Sequence, residues 1–268
     1  MTTLVFSHGN GFPGGTYGVL HQHWRDAGFT VHAVDRFGHD PDFPVASNWR
    51  ALRDELLAFI DRVSPDEPVV LVGHSLGGGL SLLAACRAPQ RVKALVMLDS
   101  PVITGWRAHS LRVFKQTRLI GRVSPGKVAQ RRRWQWPDRD AVYRHFKSKA
   151  SFAAWDDRVL RDYVAAGFED VDGQVQLRFH REVETRIYNT LPHHMPALLR
   201  RHPPRCPVAF VAGTRSAEMR QAGTTASRLL AGERFVTIEG THLYPMEHPA
   251  QTAELVQRLL AQMLPAAG

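Results

Sequence analysis

The sequence predicts an α/β fold: a mostly parallel sheet of about six strands flanked by helices, interrupted by a long helical insertion. Three observations carry this. Short apolar, β-branched runs recur along the chain, Val69-Val70-Leu71-Val72 being the purest, and such runs have the composition of strands buried on both faces. Other stretches have helical spacing, such as Trp49, Leu52, Leu56, Phe59, Ile60 and Val63, which put one apolar face on a helix. The Val69 run then turns sharply at Gly73-His74-Ser75-Leu76-Gly77 and continues as Leu80–Cys86, giving strand, turn and helix in succession.

In chain order, Thr3–Ser7 reads as a short buried strand running into His8–Gly15. That loop holds five Gly or Pro in eight residues, too many for helix or strand. Val19–Ala27 reads as a helix ending at Gly28, and Phe29–Val34 as the next strand. Asp35–Asp40 follows as a loop whose residues brace it rather than do chemistry. The helix around Trp49–Val63 is broken by Ser64-Pro65-Asp66-Glu67-Pro68 before the Val69 strand. Ala94–Leu98 is another buried strand, with Asp99 at its C-terminal end, the edge where open α/β sheets place their sites. From 103 to 200 the pattern changes. Aromatics recur at helix-like intervals (Trp106, Phe114, Trp134, Trp136, Tyr143, Phe146, Phe152, Trp155) and no comparable strand signal appears. Pro207–Gly213 and Arg234–Ile238 return to the sheet, Gly240-Thr241-His242 forms a turn, and a closing helix runs to about Met263. The expected organisation is a core of residues 1–102 and 201–268 carrying an insertion of residues 103–200.

Composition narrows the function classes. The 268 residues are 44% hydrophobic, enough for a large core. No run of eighteen apolar residues occurs, so no membrane association is expected. Met1–Ser7 has neither a basic region nor a small-residue cleavage pattern, so no signal peptide is expected there. Cys86 and Cys206 are too few for a disulfide framework, which points to a reducing cytoplasm. The net charge of +9 comes mainly from arginine. It reads as a solvated surface, with an anionic substrate as a lesser reading. Arg131-Arg132-Arg133-Trp134-Gln135-Trp136 is the most basic stretch and reads as a solvated helix face; no nucleic-acid-binding motif accompanies it, and no nucleic-acid partner is expected. His193-His194 and the other histidines lack metal-ligand spacing, so no metal is assigned.

The Gly-x-Ser-x-Gly turn puts Ser75 at its apex, at the N-terminus of a helix whose N–H groups favour developing negative charge. Gly73-His74-Ser75-Leu76-Gly77-Gly78 resembles the nucleophile elbow of the α/β-hydrolase superfamily, and the resemblance covers nearly the whole chain except the insertion. It implies Ser75 as nucleophile and a helical cap in the insertion, with its aromatics mostly forming the cap core and one or two lining an acyl pocket. It implies an oxyanion hole from the backbone N–H groups of Asn10, in the Gly-rich loop, and Leu76. A phosphate-binding reading of that loop lacks the Gly-Lys-Ser/Thr it would need. By the same resemblance, the Gly-x-His turn after the last strand implies His242 as the base, with His248 as the structural alternative. Ser216 stands where the family usually has its acid, which leaves Asp99 and Glu218 as candidates, Asp99 ahead because its strand end lies beside the elbow strand. The family usually has two further strands before the first one here, so the sheet should be shorter at that edge.

These roles describe a capped serine hydrolase that cleaves a small to medium ester, thioester or lactone, takes a small-molecule substrate and needs no cofactor. Acyl transfer, carbon–carbon hydrolysis and haloperoxidase-like chemistry would use the same residues. A non-catalytic ligand receptor on the fold and a basic nucleic-acid binder are the readings from other classes.

Overall fold

Apolar β-branched runs bury both faces of a strand, and four of them here, flanked by two less buried edge strands, form one parallel sheet. The computed structural model describes residues 1–103 and 126–264. Its strands are β1 (Thr3–Ser7), β2 (Thr30–Ala33), β3 (Val69–His74), β4 (Val92–Leu98), β5 (Gln135–Trp136), β6 (Phe168–Val171), β7 (Gln174–Leu177), β8 (Val208–Gly213) and β9 (Phe235–Ile238). The main sheet runs β2-β1-β3-β4-β8-β9, every neighbouring pair parallel. The helices used below are α1 (Gly18–Asp26), α2 (Arg50–Val63), α3 (Leu76–Arg87), α4 (Arg139–Lys147), α5 (Asp157–Ala166), α6 (Arg181–Asn189), α7 (Ala217–Ala222) and α8 (Pro249–Met263).

Strand periodicity divides the core in two. Val70 and Val72 of β3 pack with Leu20 and Trp24 of α1 and Val256 and Leu259 of α8. Val69 and Leu71 point the other way, into Leu52, Leu56 and Ile60 of α2 and Leu80 and Leu83 of α3. The strands are therefore sandwiched between helix layers, and β1, β3, β4, β8 and β9 bring their C-terminal ends to one edge. The edge strand on the N-terminal side is β2, as the short-sheet expectation has it.

The segment between β4 and β8 is mixed rather than helical. Alongside its helices it holds a three-stranded antiparallel sheet in the order β5-β7-β6. Strands of two to four residues are too short to show alternation, and polar Glu169, Asp170, Gln174 and Gln176 dilute their apolar character. The β6–β7 turn is Asp172-Gly173, with φ of 50° and 75°, the left-handed pair that a two-residue hairpin needs. Trp136, Phe146, Phe152, Trp155, Tyr163 and Phe168 bury together as an aromatic core continuous with the α1–α8 layer. Trp106 and Phe114 lie outside the described residues.

The Asp35–Asp40 loop is tied down by a buried acid. Glu55, on α2, is 8% exposed and accepts the Gly38 N–H at 3.0 Å. Burial raises its pKa from 4.5 to about 7, against the lowering effect of the Gly38 bond and with a further upward push from Asp40. A raised carboxyl pKa means that stability is greatest below the unfolded value and declines as pH rises through the folded one, here between pH 4.5 and about 7. Glu55→Gln keeps an acceptor for Gly38 and cannot ionise. Thermal unfolding should show the variant gaining about 1–3 kcal/mol on wild type at pH 8 and no advantage at pH 4.5.

Candidate active site

The elbow is built by close approach. Ser75 lies between β3 and α3 with φ 53° and ψ −117°, a left-handed conformation rare for a residue with a side chain. Its N–H donates to Leu98 O at 2.9 Å, and its carbonyl accepts from the Ser100 hydroxyl at 2.6 Å. A Cβ on Gly77 would stand 1.9 Å from Ser7 O, so only glycine lets α3 come this near to β1. Leu76 follows as the first residue of α3, where backbone N–H groups have no acceptor within the helix.

Three side chains from distant parts of the chain meet at that edge. Ser75 Oγ lies 2.9 Å from His242 Nε2, and His242 Nδ1 lies 2.7 Å from Asp99 Oδ2. An Nδ1–H donated to Asp99 leaves the Nε2 lone pair facing the serine hydroxyl. Asp99 is fully buried, and it also accepts the Gly213 N–H at 2.7 Å and the Ser216 hydroxyl at 2.5 Å. Glu218, the other candidate acid, is half exposed, with Oε2 3.9 Å from His242 Nδ1, outside hydrogen-bond range. Strand order explains the geometry: β4 and β8 are neighbours, so the end of β4 faces the start of the loop after β8. Ser216 fills the position expected for the acid. It caps α7, accepting Met219 N–H at 3.1 Å, while its own hydroxyl donates a hydrogen bond to Asp99.

Two layers behind these residues were not legible in the motifs. One is a buried relay. Gly9 N–H donates to the Tyr17 hydroxyl (3.1 Å), which donates to His74 Nδ1 (2.7 Å), whose Nε2–H donates to the carbonyl of His242 (2.9 Å). Burial pushes the His74 pKa down to about 3, so the ring stays neutral and can both accept and donate. The second layer holds the Gly-rich loop. His8, neutral because burial lowers its pKa to about 4, accepts Phe37 N–H at 2.9 Å and donates to Gly9 O. The Asn10 amide donates to Glu184 O, and Glu184 takes a 2.6 Å bond from Arg132, which also donates to the Tyr163 hydroxyl. Arg132 is thus part of a buried bridge between the insertion and the loop, and not of a solvated face as its basic neighbourhood suggests. Arg131 and Arg133 are exposed.

A cavity of about 360 Å³ opens over Ser75 and His242, with Asn10 and Leu76 in its wall. Trp49, Leu82, Val102, Ile187, Leu191 and Met195 make most of the rest apolar, and Tyr188, Glu218 and Gln221 add polar groups. Among the described residues no Lys or Arg lines it. Ile187, Tyr188, Leu191 and Met195 come from the insertion, which therefore contributes to the cavity wall; none of the insertion's aromatics singled out in sequence among the described residues lines it, and Tyr188 takes that place. His248 occupies the N-cap position of α8 without a side-chain capping bond and is not among the residues lining the cavity. The nearest cluster with metal-ligand types is Asp99, Glu218 and His242 themselves.

A parallel sheet, a left-handed serine after its third strand in sequence and a histidine after its last define an α/β hydrolase. Residues 4–255 match the model of the alpha/beta hydrolase family, and the chain belongs to that family. It is similar to monoglyceride lipase of Rattus norvegicus, 30% identical over 129 residues, or 46% of this chain and 43% of that one. It is 27% identical over 157 residues to monoacylglycerol lipase of Mycolicibacterium smegmatis, covering 56% of this chain and 54% of that protein. The chain spans about half the length of these curated relatives. Among solved structures, E-2-(acetamidomethylene)succinate hydrolase superposes with a TM-score of 0.75 at 22% identity, covering 97% of this chain and 91% of that one. The thioesterase domain from the curacin biosynthetic pathway gives 0.73 at 18%, covering 96% and 91%. At those identities the likeness is one of fold.

The relay makes a stability prediction. Tyr17→Phe leaves the Gly9 N–H and His74 Nδ1 without their shared buried partner, which should cost about 1–3 kcal/mol in chemical unfolding.

Proposed function

We propose that this chain is a capped serine hydrolase that cleaves a small to medium ester, thioester or lactone through an acyl-enzyme on Ser75. The carrying observation is the unbroken chain Asp99–His242–Ser75, with contacts of 2.7 and 2.9 Å. His242 takes the Ser75 proton as the hydroxyl attacks the carbonyl carbon, and Asp99 stabilises the imidazolium and holds the tautomer. The backbone N–H groups of Asn10 and Leu76 receive the tetrahedral oxyanion. His242 then protonates the leaving group and activates the water that releases the acyl chain. No step calls for a cofactor. In domain terms, residues 1–102 and 201–268 are the catalytic core and 103–200 the cap.

The cavity supports a neutral substrate with an apolar acyl group. Its apolar wall matches a hydrocarbon chain, while the Glu218 carboxylate in the lining disfavours an anion. Relatives named as monoglyceride and monoacylglycerol lipases fit the same substrate class. A reducing, cytoplasmic setting fits the two free cysteines, and no helix among the described residues is long and apolar enough to cross a membrane.

Kinetics on neutral esters test this directly. Ser75→Ala and His242→Ala should each lower kcat/KM by at least about a thousandfold, and the double variant should fall little further, because the pair works as one unit. Losses that multiply, or a Ser75→Ala enzyme within tenfold of wild type, would count against the reading.

A further inference from the structure

Glu218 is unused in the mechanism above, yet its place is unusual. Its Oε2 lies 3.9 Å from His242 Nδ1, on the same edge of the ring that Asp99 holds at 2.7 Å. The Ser216 hydroxyl touches both acids, at 2.5 Å from Asp99 and 3.4 Å from Glu218. The two carboxylates differ in how firmly they are held. Asp99 is fully buried and pinned by three donors, Gly213 N–H, Ser216 Oγ–H and His242 Nδ1–H. Glu218 is 47% exposed, on a long side chain at the cavity wall, and its hydrogen bond among the described residues is the long one from Ser216.

We propose that Glu218 is a standby acid for His242: a positioning residue that supports the imidazolium from the solvent side in the intact enzyme and takes over the Nδ1 hydrogen bond when the Asp99 carboxylate is gone. Closing from 3.9 Å to hydrogen-bond range is a shift of about 1 Å, within the rotamer freedom of an exposed glutamate. The Ser216 hydroxyl and Gly213 N–H that Asp99 would vacate are the donors that would receive the incoming carboxylate. In the intact enzyme the effect is small, because a half-exposed charge is screened by water. This inference rests on the triad reading of Ser75, His242 and Asp99.

It makes a counter-intuitive prediction: deleting the Asp99 carboxylate does less harm than replacing it with an amide. Asp99 has φ 42°, a conformation that both Asn and Gly tolerate, so neither substitution strains the turn. An asparagine fills the space, keeps Glu218 away and presents the wrong partner to Nδ1; in other triads such a change costs about ten-thousandfold. A glycine opens the space. On neutral esters, Asp99→Gly should keep at least ten times the kcat of Asp99→Asn. Adding Glu218→Gln to Asp99→Gly should remove that margin, while Glu218→Gln in the wild-type background should cost no more than about fivefold. A purely structural role for Glu218 would give equal losses in both backgrounds, and that result would overturn the proposal. So would an Asp99→Gly enzyme that is folded, by its unfolding transition, yet no more active than Asp99→Asn. If Asp99→Gly does not fold, Asp99→Ser, also shorter but strained at φ 42°, serves as the open background, its kcat taken per folded protein and compared with and without Glu218→Gln. Ser75→Ala separates the two levels: activity surviving it removes the triad reading itself, whereas its loss together with equal Gly and Asn variants removes only the role of Glu218.

Discussion

The site depends on one strained residue. Ser75 adopts a left-handed conformation that costs an L-residue about 1–2 kcal/mol, and the surroundings hold it there. Its N–H is fixed on β4 through Leu98 and its carbonyl by Ser100. Gly77 lets α3 lie against the backbone of Ser7, so the same contact fixes the elbow relative to the loop that follows β1. The turn thus sets the position of its own hydroxyl and, through β1 and β4, the places from which Asn10 and Asp99 approach.

Around that point the polar groups are arranged in buried chains rather than isolated pairs. The Tyr17–His74 relay ties the Gly9 backbone to the carbonyl of His242, so the loop carrying Asn10 and the loop carrying His242 are mechanically one unit. Thr241 adds to this by bonding Glu247 through both its N–H and its hydroxyl. The Arg132–Glu184 bridge extends the support into the insertion and grips the same Gly-rich loop from above. A buried ion pair of this sort adds little net stability, but loss of one partner would strand a charge beside the site.

Much of this was legible because its signals are local. The inner strands β1, β3, β4 and β8 of the main sheet are short apolar runs, and the elbow declares itself by two glycines spaced around a serine. Which carboxylate faces His242 was less so, since it depends on strand order: Asp99 and His242 are 143 residues apart and meet because β4 lies beside β8. Ser216 hid that contact by standing in the usual acid position while serving as a donor to Asp99. The small antiparallel sheet was readable in part, for Asp172-Gly173 between Phe168–Val171 and Gln174–Leu177 is a hairpin signal that the surrounding aromatics masked. Arg132 could not have been told from Arg131 and Arg133 by composition; only packing against Glu184 and Tyr163 separates it from its exposed neighbours.

The central claim is that His242 and Asp99 make Ser75 a nucleophile. Labelling with a fluorophosphonate tests it most directly, because the reagent needs an activated serine and no knowledge of the substrate. Intact-mass measurement and peptide mapping should find one adduct per chain, on Ser75, with labelling slowed by orders of magnitude in His242→Ala. A folded wild-type protein that takes no adduct, or takes it elsewhere than Ser75, would contradict the account.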